Sequence, residues 1–399
     1  MKPRRGRLIG GIVALLAISA AASSASAVPG CPFCAPSKPP YSERLATCQV
    51  AVEVKWVSIA SDKNLQNATT TFAVVKSYRA DPRFKEKTPV TINYARDGKP
   101  GELFLMLGFE KDGELVWDDP ISLGGEYLYS YIRKVPPPET ADRLSFFLKF
   151  LEFPDAEICA DAYAEFSRAT FKDVAALAPK LPRNKLRAWL ASDDPQIRVR
   201  LGLYGMMLGL CGDDSDAEFL EQLIMKLPEP DQPRFGVDGM MAGYILIRGE
   251  RGLQKLMDEK LADRRAEDDL MLVENALVFL RDYCPDRIPT TVVCDAMRRF
   301  IDHPKLAANV VKHLARWKDW QSLDRLLAAY GKEPFDSNFG KQQIVVFALV
   351  CEKDGKATSP EAFPESAIKA RRFLDGLDPK IVRLARGVIE STPSPAKLE

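Results

Sequence analysis

Two cysteines near the N-terminus, Cys31 and Cys34, have the spacing that most readily suggests chemistry. A Cys-x-x-Cys pair at the start of a helix can carry a thiolate of lowered pKa and exchange disulfides. Such a redox pair follows a β-strand in a βαβ unit, whereas this pair follows a stretch of small residues. We therefore favour a structural disulfide in which Cys48 bonds to one of the two, with redox activity and metal binding as alternatives. Haem attachment is excluded, because Ala35 and not His follows Cys34.

Other candidates for catalysis are few. The chain has two histidines, His303 and His313, and Pro304 interrupts the helix after the first. Zinc-protease motifs, Ser-His-Asp triads and Cys-His dyads all need a histidine with a suitable partner, and no such spacing is present. No glycine-rich phosphate loop follows a strand. We therefore expect no catalytic, cofactor-binding or metal-ligating residues, and no cofactor.

The first 27 residues have the three parts of a secretory signal peptide. Four basic residues precede the apolar stretch 8–18, and Ala25-Ser26-Ala27 offers a cleavage site. The apolar run is too short to span a bilayer comfortably. We predict an exported chain, secreted or periplasmic, that begins at Val28 and has no stable membrane span after cleavage. A retained membrane anchor and a lipid attached to Cys31 are the alternatives.

The charges of the chain are balanced. Its 399 residues include 56 Lys and Arg against 55 Asp and Glu, with no long run of either sign. This balance argues against a nucleic-acid surface and against a polybasic membrane patch. We therefore expect a protein partner, which the sequence does not identify, and no nucleic acid.

Residues 28–135 have the alternating pattern of short β-strands. Turn dipeptides such as Asp97-Gly98 and Gly124-Gly125 separate them. The strand-like stretches are 49–57, 69–78, 89–94, 103–107, 115–117 and 127–132. Strands without intervening helices predict a small closed barrel or sandwich. Residues 136–140, which begin with three prolines, form a stiff linker to the rest of the chain.

After the linker the period becomes helical, and one motif repeats. Gly-x-x-Gly-Met-Met-x-Gly occurs twice, 34 residues apart, with glycines Gly202, Gly205, Gly209 and then Gly236, Gly239, Gly243. A period in the thirties with a paired-helix pattern predicts an α-solenoid over residues 141–390, followed by a disordered tail at 391–399. The glycines leave one helix face bare, so we assign them to packing between adjacent repeats. One irregular helical domain is the alternative.

The stretch Cys31-Pro32-Phe33-Cys34, with Cys48 entering the first strand, resembles the start of a netrin-like module. This is the OB-type barrel shared with the tissue inhibitors of metalloproteinases, and stretches 71–78 and 101–108 fit its later strands. The resemblance implies protease inhibition through a free N-terminal cysteine amine. The predicted N-terminus at Val28 and the lack of cysteines between Cys48 and Cys159 depart from that pattern.

The whole layout, including the stretch 315–320, resembles secreted proteins of planctomycete-type bacteria, a likeness that carries no activity. The expected fold class is α+β multidomain, a small OB-like β-barrel followed by an α-solenoid of HEAT-like helix pairs. We predict a non-enzymatic binding or scaffold protein that acts through protein–protein interaction on the helical-repeat surface. A thiol–disulfide redox protein using Cys31 and Cys34 is one alternative, and a protease-inhibitor-like β-module is another.

Overall fold

The structure is a computed structural model that describes residues 30–35, 37–60, 68–79, 81–124, 126–226, 234–262, 269–358 and 363–391. Within these residues the fold is α+β and mostly helical, which confirms the coarse fold class. The predicted signal peptide, 1–27, lies outside the described residues. The predicted tail does so too, apart from Ser391.

The described residues contain a group of strands followed by a long series of helices. The strands are β1 Val50–Ala60, β2 Thr69–Arg79, β3 Pro89–Ile92, β4 Leu103–Lys111, β5 Glu114–Trp117 and β6 Ile121–Ser122. The helices are α1 Tyr41–Thr47, α2 Glu126–Ile132, α3 Leu144–Phe147, α4 Ala156–Arg168, α5 Phe171–Ala176, α6 Arg183–Leu190, α7 Pro195–Arg198, α8 Leu201–Cys211, α9 Asp214–Met225, α10 Val237–Ala262, α11 Leu270–Tyr283, α12 Thr290–Arg298, α13 Ala307–Arg316, α14 Leu323–Ala329, α15 Asn338–Thr358, α16 Glu365–Asp375 and α17 Pro379–Ser391.

The strands form one curled antiparallel sheet in the order β3-β2-β1-β4-β5, with β6 paired to β4. Val52 and Val54 of β1 belong to the core inside the curl, where the Phe72 and Phe104 rings meet edge-on at 5.4 Å. Ala51, on the other face, packs in the core shared with the helices. The sheet is a half-barrel, because in the described residues β3 and β5 are the free ends of the hydrogen-bonded path.

The stretch 127–132, predicted as a strand, is the helix α2. Leu128, Tyr131 and Ile132 are its buried residues, and their i, i+3, i+4 spacing is that of one helix face. The Tyr131 hydroxyl donates to Asp161 Oδ2 on α4 at 2.6 Å. The strand prediction was wrong because a short aromatic run fits both the two-residue period of a strand and the 3.6-residue period of a helix. Contact with the later helix α4 decides between them.

The two copies of the glycine motif lie against each other on α8 and α10, which run parallel. A Cβ at Gly205 would stand 2.6 Å from the backbone nitrogen of Met240, and one at Gly239 would collide with the Gly202 carbonyl. Glycine is therefore required for these two backbones to approach so closely. Gly249, with φ 66°, breaks α10 into two helical segments, residues 237–248 and 250–262.

Polar contacts between the helices repeat the spacing of the glycine motif. Four pairs, each separated by 34 residues, are Arg248–Asp214, Lys255–Glu221, Arg316–Asp282 and Trp320–Asp354. The first two pairs join α9 to α10, and the third joins α11 to α13. The fourth joins Trp320, which lies between α13 and α14, to α15. These four contacts therefore join residues that lie one period of the glycine motif apart in the chain.

Candidate functional site

Cys31 and Cys34 are bonded to each other, with their Cα atoms 5.4 Å apart. They close a tight turn in which the Cys34 N–H donates to the Cys31 carbonyl at 3.2 Å. Cys48 is instead a free, buried thiol between α1 and β1, and burial raises its pKa. The favoured bond from Cys48 to one of the pair is therefore not formed. Its Sγ donates to the Leu45 carbonyl at 3.4 Å, within its own part of the chain.

The turn carries Phe33 into the helical core. Its side chain is 7% exposed, and its ring centroid lies 4.8 Å from that of Phe279 on α11. Directly beneath the turn lies Gly202, where a Cβ would stand 2.7 Å from the Phe33 carbonyl oxygen and 2.9 Å from the Phe33 Cβ. The Cys-Pro-Phe-Cys motif and the first glycine of the repeat, which are far apart in sequence, therefore form one site.

Hydrogen bonds hold both ends of this turn on α4. The Cys31 N–H donates to the Ser167 carbonyl at 2.8 Å. The Ala35 N–H donates to the Tyr163 hydroxyl at 2.9 Å, and that hydroxyl donates to the Val199 carbonyl at 3.1 Å. Residues 30–35, which the sequence groups with the β-module, thus pack on the helical part of the chain.

A buried carboxylate joins α1 and α2 to α4. Asp161 Oδ1 accepts the Tyr41 N–H at 2.6 Å, while Oδ2 accepts the Tyr131 hydroxyl at the same distance. Burial raises the pKa of Asp161 to about 7 and is also the main cause of the raised pKa of Tyr131. The Tyr41 hydroxyl donates to Glu157 Oε1 at 2.7 Å, which adds a second tie between α1 and α4.

Glu165 lies one turn after Asp161 and is fully buried. It pairs with Arg143, and burial raises its pKa. Two adjacent carboxyl groups of raised pKa are a pattern found at acid–base sites. Here both are sealed from solvent, so this pair can hold a proton but offers no room for a substrate. The sequence signal that could have revealed them is an i, i+4 acidic pair within the apolar face of α4.

A cleft of about 650 Å³ opens where α1, α4 and the β4–β6 end of the sheet meet. Arg44 and Asp118 pair across it at 2.7 Å, and Asp119 accepts the Tyr94 hydroxyl at 3.1 Å. The remaining lining groups also carry both signs of charge. Its four acidic and three basic side chains nearly balance, so the cleft has no strong charge of either sign.

The histidines and the other cysteines are parts of the helical core. His313 Nε2 lies 3.1 Å from Glu274 Oε1, which joins α13 to α11. The free cysteines of the helical part are buried, except the half-buried Cys211; they are Cys159, Cys211, Cys284, Cys294 and Cys351. Among the described residues no group of three or more His, Cys, Asp or Glu side chains could hold a metal ion.

Three large apolar side chains are exposed at the starts of helices. Phe235 precedes α10 by two residues, and Met271 and Phe339 are the second residues of α11 and α15. Their exposed fractions are 43%, 59% and 52%, and they belong to neither hydrophobic core.

No protein-family model, no curated protein and no solved structure matches the chain. The likeness to netrin-like modules and HEAT repeats therefore stays a prediction. In the described part of the chain, every helix is too short or too polar to cross a bilayer.

Proposed function

We propose that this chain is an exported binding protein whose helical part is an α-solenoid of HEAT-like pairs that acts as a scaffold for a protein partner. In this proposal the curled sheet is an OB-like module fixed to the first helices of the solenoid. No catalysis is assigned to either part.

The single observation that carries the proposal is the repeated separation of 34 residues. The glycine motif and four polar pairs share it. In a solenoid each unit buries its face against its neighbours, so contacts between neighbouring units recur at separations close to the length of one repeat. Proteins of this kind function through extended binding surfaces rather than enclosed pockets.

The exposed side chains at the helix starts support a particular surface. In a stack of parallel first helices, the helix starts share one edge. In this proposal Phe235, Met271 and Phe339 share that edge, and their exposure and their absence from the core support the assignment. We assign the partner to this edge, since an apolar row beside charged residues is a frequent composition of protein interfaces.

Site-specific cross-linking tests this assignment. A photo-reactive amino acid is placed at Met271, at Phe339 and, as the matched control, at Tyr127 of α2, which is 66% exposed. Expression with export should give a cross-linked complex of defined mass from the first two positions and none from the control. Absence of adducts at Met271 and Phe339, or turnover in a panel of enzyme assays, would overturn the proposal.

Thiol–disulfide exchange is the second candidate function. It is favoured by the bond between Cys31 and Cys34, both of which are only partly buried. The reduction potential of the Cys31–Cys34 bond distinguishes this function from a purely structural role. Structural disulfides have potentials below about −300 mV, and exchanging disulfides have potentials well above that value. The inhibitor-like alternative has less support, because the Cys31 N–H is already bonded to Ser167.

A further inference from the structure

The site that receives Phe33 is an aromatic cradle built by two helices. Phe279 and Tyr283 of α11 lie with ring centroids 5.6 Å apart, and Phe171 of α5 closes the cradle at 5.0 Å from Phe279. The Gly202 backbone of α8 forms its base. The cradle accepts one aromatic side chain that approaches on an exposed segment of chain.

Two backbone hydrogen bonds and one buried side chain hold the turn of residues 31–35 on the helices. Cys31 and Ala35 make the backbone hydrogen bonds already described, and Phe33 supplies the buried side chain. Pro32 and Ala35, on either side of Phe33, are exposed. The disulfide between Cys31 and Cys34 fixes the turn that presents Phe33 to the cradle.

The following segment is anchored independently of the turn. Tyr41 is tied to Asp161 and Glu157, and Ser37 Oγ lies 2.7 Å from Ser167 Oγ. Residues 30–35 can therefore leave the helices while α1 and the sheet stay attached.

We propose that the surface under Phe33 is a docking site controlled by the Cys31–Cys34 disulfide. With the disulfide closed, the chain's own Phe33 fills the cradle. With the disulfide reduced, the turn leaves and the cradle binds an aromatic side chain presented on a turn of a partner protein. This inference rests on the proposed binding function, and it adds which part of the partner binds and how the disulfide controls that binding.

The chemical step is a complete exchange with a dithiol. A thiolate of the dithiol attacks one sulfur of the Cys31–Cys34 bond, and its second thiolate then resolves the mixed disulfide. Cys31 and Cys34 gain two electrons and two protons, and the dithiol becomes a disulfide. The loop entropy of a disulfide that closes residues 31–34 favours the closed turn by about 20-fold over the open chain.

Hydrogen exchange tests the release of the turn. The amides of Cys31 and Ala35, which donate to Ser167 and Tyr163, are compared in the oxidised protein and in the double variant Cys31→Ser/Cys34→Ser. Their exchange should be about 20-fold faster in the double variant, with no change in the α8 amides. Unchanged protection of both amides would overturn the proposal.

Calorimetric titration tests the docking site itself. The probe is a synthetic peptide of residues 30–37 with its disulfide closed, and the control peptide carries Phe33→Ala. The probe should bind the double-serine protein, and also the Phe33→Ala protein, at least about tenfold more tightly than the oxidised wild type. The control peptide should bind none of them.

The remaining outcomes each contradict the inference. Equal binding of the probe to the oxidised wild type removes the control by the disulfide, and no binding to either variant removes the site. Dimerisation of the double-serine protein would assign the cradle to a second copy of the chain. If the Met271 cross-link persists while the probe fails to bind, this inference is lost and the proposed binding function is retained.

Discussion

The Phe33 backbone lies so close to Gly202 that a methyl group at position 202 would stand 2.7 Å from the Phe33 carbonyl oxygen. The first glycine of the repeat thus serves two contacts, one with the N-terminal turn and one with α10. This relationship makes the docking of the turn sensitive to a single carbon atom.

The variant Gly202→Ala should therefore be destabilised by about 1–3 kcal/mol, because the added methyl group overpacks a site that has backbone on both sides. Urea denaturation followed by circular dichroism measures the change. The matched control is Gly387→Ala on α17, where an added Cβ meets no atom within 4 Å. That control should gain about 0.5–1 kcal/mol from helix propensity. Equal effects at the two positions would contradict the close contact.

Combining Gly202→Ala with Phe33→Ala separates the two contacts of Gly202. If the methyl group acts mainly by expelling the turn, the double variant should lose less stability than the sum of the single variants. Strict additivity would instead assign the whole effect of the methyl group to the contact with α10.

The contribution of Asp161 to stability should fall as the pH rises towards 7. The pKa of Asp161 rises from its ordinary value of 3.8 to about 7 in the folded chain, so the folded state keeps a proton that the unfolded state releases. The stabilisation is complete below pH 3.8 and is lost as the pH rises through 7. Between these limits the unfolding free energy should decrease by on the order of 1 kcal/mol per pH unit through this group.

The variant Asp161→Asn should have a flatter profile between pH 4 and pH 7, because its amide cannot release a proton. Denaturation at several pH values compares it with the wild type and with Asp193→Asn, a change of an exposed loop residue. The Asp193→Asn profile should parallel that of the wild type. Profiles that change by the same amount in all three proteins would contradict the assignment to Asp161.

Peptide mapping of the oxidised protein should find one disulfide, between Cys31 and Cys34, and free thiols at the other cysteines. In the folded protein Cys211 should react first with an alkylating reagent, because it is half-buried and the others are buried. A peptide that links Cys48 to Cys31 or Cys34 would contradict the structure.

Loss of Asp282 should weaken the contact between α11 and α13. Its carboxylate accepts Arg316 at 2.7 Å and the Trp317 indole N–H at 3.1 Å, and it is only 12% exposed. Asp282→Ala should cost about 1–3 kcal/mol of unfolding free energy, since it leaves two donors without their acceptor. The control Asp302→Ala removes an exposed pair with Arg325 and should cost less than about 1 kcal/mol.

The sequence predicts most elements because their signals are local. Alternation in β1 is present within one short stretch, and the repeated glycine motif marks the place where α8 and α10 meet. The break at Gly249 also follows from a local property, since glycine tolerates positive φ.

What the sequence does not predict depends on contacts between residues far apart in the chain. The docking of the Cys31–Cys34 turn on α4 and the contact of α2 with Asp161 each join residues that are far apart in sequence, although the disulfide itself is local. The aromatic cradle joins residues from α5 and α11. No local pattern encodes these contacts, because they depend on how the helices are arranged in space.

The central claim is that a protein partner binds the edge formed by Phe235, Met271 and Phe339. The most direct test is calorimetric titration of the full chain with the purified partner that the cross-linking experiment identifies. Met271→Glu should weaken that binding by at least about tenfold, because it places a charge in an apolar contact. Tyr127→Glu should leave the affinity unchanged. The reverse pattern, with binding lost through Tyr127 and kept through Met271, would assign the partner to the β-module and contradict the account.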